Sequence, residues 1–356
     1  MNLRRRSSLT WLGAGFLVAL SVRRVASQLD GIAGATCASP PPLHCPDNDC
    51  SSELIMHPGN ARDAKTRRAF FLDYPCDLKP GEAVTFVLSL HGGGMIGNWH
   101  RHYFPMMDLK EKYRLVVATP SAVNSLWNPE SDDVHLRNIV SAVYENVGAK
   151  NIKAFWIAGH SDGGLTANRL LMTPFYRDKL TGWVSLSGGR LGSRRAYAPT
   201  AAKSAYMLPF RPGLRAESIR DGPCSNAVGV GLTDACSLPD YEISHIYSSG
   251  EYELTAQGLP DHSVWAQRLG CKSQTRRPDV VDRRAGYVWD SRSPRTRNTW
   301  AGRKPRPGRA RVFEYPDCKG GHVVADVIRL DKGHTEGLEP NVTEEIVKLM
   351  LSASRR

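Results

Sequence analysis

Seven short, mostly apolar runs punctuate the chain, at residues 68–74, 84–90, 114–119, 152–158, 182–186, 244–248 and 323–330. Each is five to eight residues long and rich in Val, Ile, Leu and aromatics, which predicts β-strands. Between them the period changes. Val134, Ile139, Val140 and Val143 recur at helical spacing behind Asp132 and Asp133, which stand where an N-cap belongs. Leu165, Leu170 and Leu171 repeat the pattern after residue 161, and Thr343 to Ala353 forms an amphipathic helix at the end. Short apolar strands alternating with helices predict an α/β fold, with a mostly parallel central sheet flanked by helices. Residues 190 to about 240 lack clear periodicity and read as an insertion, a possible lid.

The N-terminus adds an export signal to this picture. Arg4, Arg5 and Arg6 precede an apolar stretch from Thr10 to Val22, and small-residue sites follow near residues 27 and 35. That stretch is short of the roughly 20 residues a bilayer crossing needs, so residues 1–35 are expected to be a removable signal peptide. The mature protein is expected to be secreted or periplasmic, with no stable membrane insertion. Residues 36–66 form a Cys- and Pro-rich extension, and 67–353 the main domain. Eight cysteines agree with an oxidising compartment, with Cys224–Cys236 and Cys271–Cys318 as the expected pairs. They form no C-x-x-C pair, and no metal or cofactor is expected.

Charge is unevenly placed. The net charge is +12, and residues 271–311 hold thirteen Lys and Arg against Asp279, Asp282 and Asp290, a net of +10. This second insertion reads either as a solvated, Pro- and Gly-rich segment or as a polyanion-binding surface. No nucleic-acid motif with interleaved aromatics accompanies it, so no nucleic-acid partner is expected. Oligomeric state is not legible.

The chemistry concentrates at strand ends. GHSDGG at 159–164 follows the apolar run 152–158 and precedes a helical pattern. A serine hydroxyl needs a base to become a nucleophile, and a strand–turn–helix at G-x-S-x-G lifts that oxygen above a sheet. Ser161 is therefore the expected nucleophile. An oxyanion hole needs N–H donors aimed at the developing charge. The backbone of Asp162 is one candidate, and Gly93 and Gly94 of HGGG, at the end of run 84–90, are the others. His334, in DKGHTEG after the last apolar run, is the expected base, ahead of His322 and His160. The acid that orients it should end the strand between, which favours Glu251, with Glu253, Asp240 and Asp261 as alternatives.

With HGGG, WNPESDD at 127–133, GHSDGG and DKGHTEG at 331–337, the chain resembles the α/β-hydrolase superfamily. Within it, the chain is similar to exported polyhydroxybutyrate depolymerases and feruloyl esterases over roughly residues 67 to 353. That resemblance implies a serine esterase working through an acyl-enzyme, on polyester oligomers, hydroxycinnamoyl esters or acetylated sugars. In that group the acid is usually an aspartate after a His-Gly pair, whereas Ser-Gly-Glu stands here. Trp99, His100 and Trp127 fall on segments expected near a substrate pocket. A serine peptidase on the same fold and a non-catalytic polyanion-binding surface protein are the competing readings.

Overall fold

The computed structural model describes residues 31–37, 59–191, 238–254, 259, 262–288 and 304–353. The expected signal segment up to residue 30, the Cys224–Cys236 pair and Asp261 lie outside the described residues.

All seven apolar runs are strands. They are β2 (Ala69–Asp73), β3 (Val84–Leu90), β4 (Leu115–Pro120), β5 (Ile152–His160), β6 (Gly182–Leu186), β7 (Ser244–Gly250) and β11 (Val324–Leu330). With the short β1 (Ala61–Arg62), β8 (Thr275–Arg276), β9 (Val280–Val281) and β10 (Arg309–Tyr315), they make one eleven-stranded sheet. Its order is β1-β2-β4-β3-β5-β6-β7-β11-β10-β8, with β9 on β10. The run β4-β3-β5-β6-β7-β11 is parallel, and β2 and β10 close it antiparallel on either side. Every residue of β3, β4 and β6 is buried. Covering on both faces explains why these strands read as unbroken apolar runs rather than as alternation.

Alternate residues of each strand feed two cores. Phe155 and Ile157 of β5 pack with Leu136, Ile139, Val140 and Val143 of helix α2 (Pro129–Val147), and with Ala167, Leu170 and Leu171 of α3 (Asp162–Leu171). Trp156 and Ala158 face the other layer. There they join Trp99 and Tyr103 of α1 (Gly97–Tyr103), and Val342, Ile346 and Met350 of α5 (Pro340–Ser352). A short helix, α4 (Val264–Arg268), seats Trp265 in the first core.

Three details differ from expectation. Helix α2 starts three residues earlier than Asp132, with Pro129 in its first turn and the Asn128 side chain capping Glu130 N–H at 2.8 Å. Asp132 instead turns inward, accepting Asn128 N–H at 2.8 Å and pairing with Arg68 at 2.7 Å. The basic segment is also partly sheet. Ala310, Val312 and Tyr315 of β10 are buried while Arg309 and Arg311 face out. Finally, Cys37 pairs with Cys76, in addition to the expected Cys271–Cys318 disulfide. The first of these bonds ties the N-terminal extension to the turn after β2. No helix among the described residues is long and apolar enough to cross a membrane.

The buried histidines make stability sensitive to acid. Burial pushes His91 and His102 down to about 4 and His245 down to about 3. All three stay neutral in the fold, while in the unfolded chain each takes a proton below its ordinary value of about 6.5. The unfolded state therefore binds more protons between pH 6.5 and about 4, so stability falls as pH falls through that window. Each such group contributes roughly 1.4 kcal/mol per pH unit once below its unfolded value. Urea unfolding at pH 7, 5.5 and 4.5 should show a steadily falling midpoint; a flat one would contradict this assignment.

Candidate active site

Because β3, β5, β6, β7 and β11 run parallel, their carboxyl ends meet at one edge of the sheet. The chain leaves β3 for β4 on one side and returns to β5 on the other, so the ends of β3 and β5 flank a topological switch point. Crevices at such points are where ligands bind in open α/β sheets.

Ser161 stands at the tip between β5 and α3, half-buried, with φ 49° and ψ −113°. A non-glycine residue there stores strain on the order of 1–3 kcal/mol, a cost commonly met at functional sites. The turn is held by Ser161 N–H donating to Leu186 O at 2.9 Å, and by Gly164 and Leu165 N–H groups donating to Ser161 O. Helix α3 can begin so close to β3 only because residue 163 is glycine. A Cβ there would lie 2.3 Å from Leu90 O and 2.5 Å from His91 O.

The HGGG loop lies directly against this turn. A Cβ on Gly92 would sit 2.5 Å from His160 Nδ1 and 3.4 Å from Ser161 Cβ, and one on Gly93 would sit 3.5 Å from Asp162 Cβ. His91 holds the loop from below. Its Nε2 accepts Ala122 N–H at 2.9 Å, which leaves Nδ1–H to donate to Gly92 O at 2.8 Å. Trp127 Nε1–H donates to His91 O at 2.8 Å, and its ring lies 4.6 Å from the His91 ring. The Asp162 carboxylate accepts Trp127 N–H at 3.1 Å, and burial pushes that carboxyl up. It is thus spent on the loop, as its absence from the acid candidates requires.

Gly94 does not fit its expected place in an oxyanion hole. Its N–H already donates to Ser125 O at 2.8 Å. Gly93 and Asp162 remain beside Ser161.

His334 follows β11 on a loop framed by buried charges. Arg329 donates to Glu336 O at 2.7 Å and Gly337 O at 2.8 Å, and pairs with Glu339 at 3.1 Å. Lys332 Nζ reaches Glu336 at 2.5 Å and Glu339 at 2.8 Å. From the basic segment, Arg306 donates to the Asp331 carboxylate at 2.5 Å and to Glu336 at 3.2 Å. The Arg329 and Lys332 pairs are buried, so desolvation offsets much of their attraction, while Arg306 pairs nearer the surface. Together these contacts brace the loop that carries the His334 imidazole.

That imidazole meets Glu253, not Glu251. His334 Nδ1 hydrogen-bonds Glu253 Oε1, while Glu253 Oε2 accepts Ser187 Oγ–H at 2.5 Å, Ser249 Oγ–H at 3.1 Å and Gly250 N–H at 3.2 Å. Four donors surround an acceptor-only group, which suits an ionised carboxylate. The Glu251 carboxylate instead accepts Asp331 N–H at 2.9 Å and is exposed. The reason lies in the backbone. Strand β7 runs to Gly250, two residues past the predicted end, and one 3₁₀ turn (Glu251–Glu253) then carries the second glutamate back over the strand end. Asp240 is far more exposed and pairs with Arg177 at 2.9 Å.

His334 Nε2 is buried and has no hydrogen-bond partner among the described residues. His322 precedes β11 and lies beside Ser244 at the start of β7, the opposite end of the sheet from Ser161. His100 is wholly buried with Nε2 2.9 Å from Ser89 Oγ, so it is an interior residue rather than a substrate contact. Trp99 is stacked on Tyr103, 4.9 Å between centroids, and like Trp127 it serves packing beneath the site.

No protein-family model and no curated protein sequence matches the chain. Among solved structures, an acetyl xylan esterase from Aspergillus awamori aligns at 14% identity with a TM-score of 0.44, over 80% of this chain and 94% of that one. The fluorophosphonate-binding serine hydrolase FphF of Staphylococcus aureus aligns at 18% identity and TM-score 0.35, over 50% and 71%. A soluble variant of monoglyceride lipase from Saccharomyces cerevisiae gives 16% and 0.33, over 52% and 73%. By its own strand order, and by the strand–turn–helix that carries Ser161 at the carboxyl edge of the parallel strands, the chain has the α/β-hydrolase fold.

Proposed function

We propose that the protein is a serine esterase that cleaves carboxylic esters through Ser161, His334 and Glu253. One observation carries this reading. An imidazole whose Nδ1 is held by a carboxylate that accepts four hydrogen bonds keeps a buried Nε2 with no partner among the described residues, on a loop packed against the strand end that bears Ser161. A carboxylate on Nδ1–H fixes the tautomer in which Nε2 is the basic nitrogen. That nitrogen takes the proton from Ser161 Oγ as the oxygen attacks the ester carbonyl. Catalytic hydrogen bonds are often loose before substrate binds, so Nε2 needs no partner in the free enzyme.

The tetrahedral oxyanion is held by the N–H groups of Asp162 and Gly93, next to which a glycine-lined loop lets substrate approach. His334 then gives its proton to the leaving alkoxide, which departs as the alcohol. In the second half, His334 draws a proton from water as hydroxide adds to the acyl carbon, and the bond from that carbon to Ser161 Oγ then breaks as His334 returns the proton to Oγ, which releases the acid and restores Ser161. The same four roles serve both halves.

Export belongs to this proposal, supported by the basic and apolar N-terminal run and by two disulfides. Ile32 and Ala35 are packed in the core, and Ala35 O accepts the Tyr74 hydroxyl at 2.7 Å. Processing near residue 27 keeps these contacts, whereas processing near 35 removes them. Polyester oligomers, hydroxycinnamoyl esters and acetylated sugars are the substrates to compare. Purified protein assayed on hydroxybutyrate oligomers, methyl ferulate, acetylated xylose and p-nitrophenyl acetate should hydrolyse the last and rank the rest. Inertness on all four would end the esterase reading.

A further inference from the structure

The residue before the nucleophile has no role in the chemistry above, yet it touches three parts of the site. His160 ends β5 with its side chain almost fully buried, below the turn that exposes Ser161. Its ring lies 4.7 Å from the His334 ring, 4.2 Å from Tyr103 and 5.5 Å from Trp99, measured between centroids. Its Nε2 is 2.9 Å from His334 O. A carbonyl only accepts, so Nε2 carries a proton, and in the neutral ring Nδ1 is then bare. The Nδ1 edge faces Gly92, where a Cβ would come within 2.5 Å of Nδ1. Tyr103 O–H also donates to His334 O, at 3.3 Å.

We infer that His160 is a positioning residue: by donating Nε2–H to the backbone carbonyl of His334, it sets where the base stands relative to Ser161. The inference rests on the esterase reading given above. Serine and its neighbour are fixed to one strand end, so a bond from the neighbour to the base ties base and nucleophile to a common support. The same ring lies against Gly92, where a Cβ would not fit, so it also supports the loop that carries Gly93. An error of about 1 Å in such a placement costs on the order of 100-fold in rate.

The test compares two replacements of nearly equal shape, His160→Gln and His160→Met, which both lose the ring but differ in the N–H donor. The expected result is a kcat on p-nitrophenyl acetate about tenfold or more higher for His160→Gln than for His160→Met. KM should agree within about threefold and thermal midpoints should match, and the rate of phosphonate labelling of Ser161 should follow kcat. Equal kcat values in two folded variants would overturn the inference. A lone structural role predicts matched losses in kcat and stability, not a donor-dependent split.

If neither variant folds, long-range ¹H–¹⁵N NMR on the wild-type protein decides. His160 must show a protonated Nε2 and a pyridine-type Nδ1; the opposite tautomer removes the bond on which the inference stands. Failure of the esterase reading looks different, because the wild-type enzyme itself would then neither turn over ester nor take up phosphonate.

Discussion

Replacing Ser161 with alanine is expected to lower turnover of p-nitrophenyl acetate by roughly 10⁵–10⁶-fold, the loss seen when a triad nucleophile is removed. What remains is the contribution of the oxyanion donors and of binding, which survive the change. The fold should survive too. The Ser161 side chain makes no capping hydrogen bond to α3, and alanine inherits the same strained backbone without adding atoms. Melting temperature should therefore stay within about 2 °C, since the change removes neither a cap nor a buried apolar contact. Turnover measured beside a thermal melt separates loss of chemistry from loss of structure. A folded Ser161→Ala protein that kept even a tenth of its activity would move the chemistry to another residue.

The second large effect distinguishes two glutamates that stand two positions apart. Glu253→Gln replaces an oxygen with an amide that must face donors on both sides: His334 Nδ1–H on one, and Ser187, Ser249 and Gly250 on the other. The imidazole then either turns or takes the wrong tautomer, and a change of this kind costs about 10⁴-fold in kcat. KM should change little, because the carboxylate does not touch substrate. Glu251→Gln keeps an oxygen to accept Asp331 N–H and should leave kcat within about threefold, as expected of one exposed hydrogen bond on a loop held by several others. Steady-state kinetics on the two variants decides the matter. The reverse order of effects would return the orienting role to Glu251.

The contrast between these glutamates shows where the sequence stops being informative. The parallel strands were legible because burial on both faces writes them as apolar runs, and the order of Ser161, an acid and His334 follows from where such strands end. The turn that carries Ser161 was legible because an apolar run, G-x-S-x-G and helical spacing in succession predict a strand–turn–helix. Which glutamate returns to His334 depends on the length of β7 and on a single 3₁₀ turn, and no side-chain pattern in SGEYE encodes either.

Other differences have equally local causes. Strand β10 alternates arginine with Ala310 and Val312, so its charges joined it to the basic segment and hid its period of two. Asp132 has the composition of a cap, but its carboxylate is drawn inward by Arg68 and two backbone N–H groups. The bond from His160 to His334 spans 174 residues and exists only once the sheet has formed. Arg306 is similar: in sequence it is one of many arginines, and in the fold it braces the loop that carries His334.

The central claim is that Ser161 becomes a nucleophile because His334, held by Glu253, takes its proton. Reaction with a fluorophosphonate probe, followed by peptide mapping, reads that event without any assumption about the natural ester. The expected result is one stoichiometric adduct on Ser161, formed at least about a thousandfold more slowly in His334→Ala. An adduct on another residue, or equal labelling of Ser161 without His334, would contradict it.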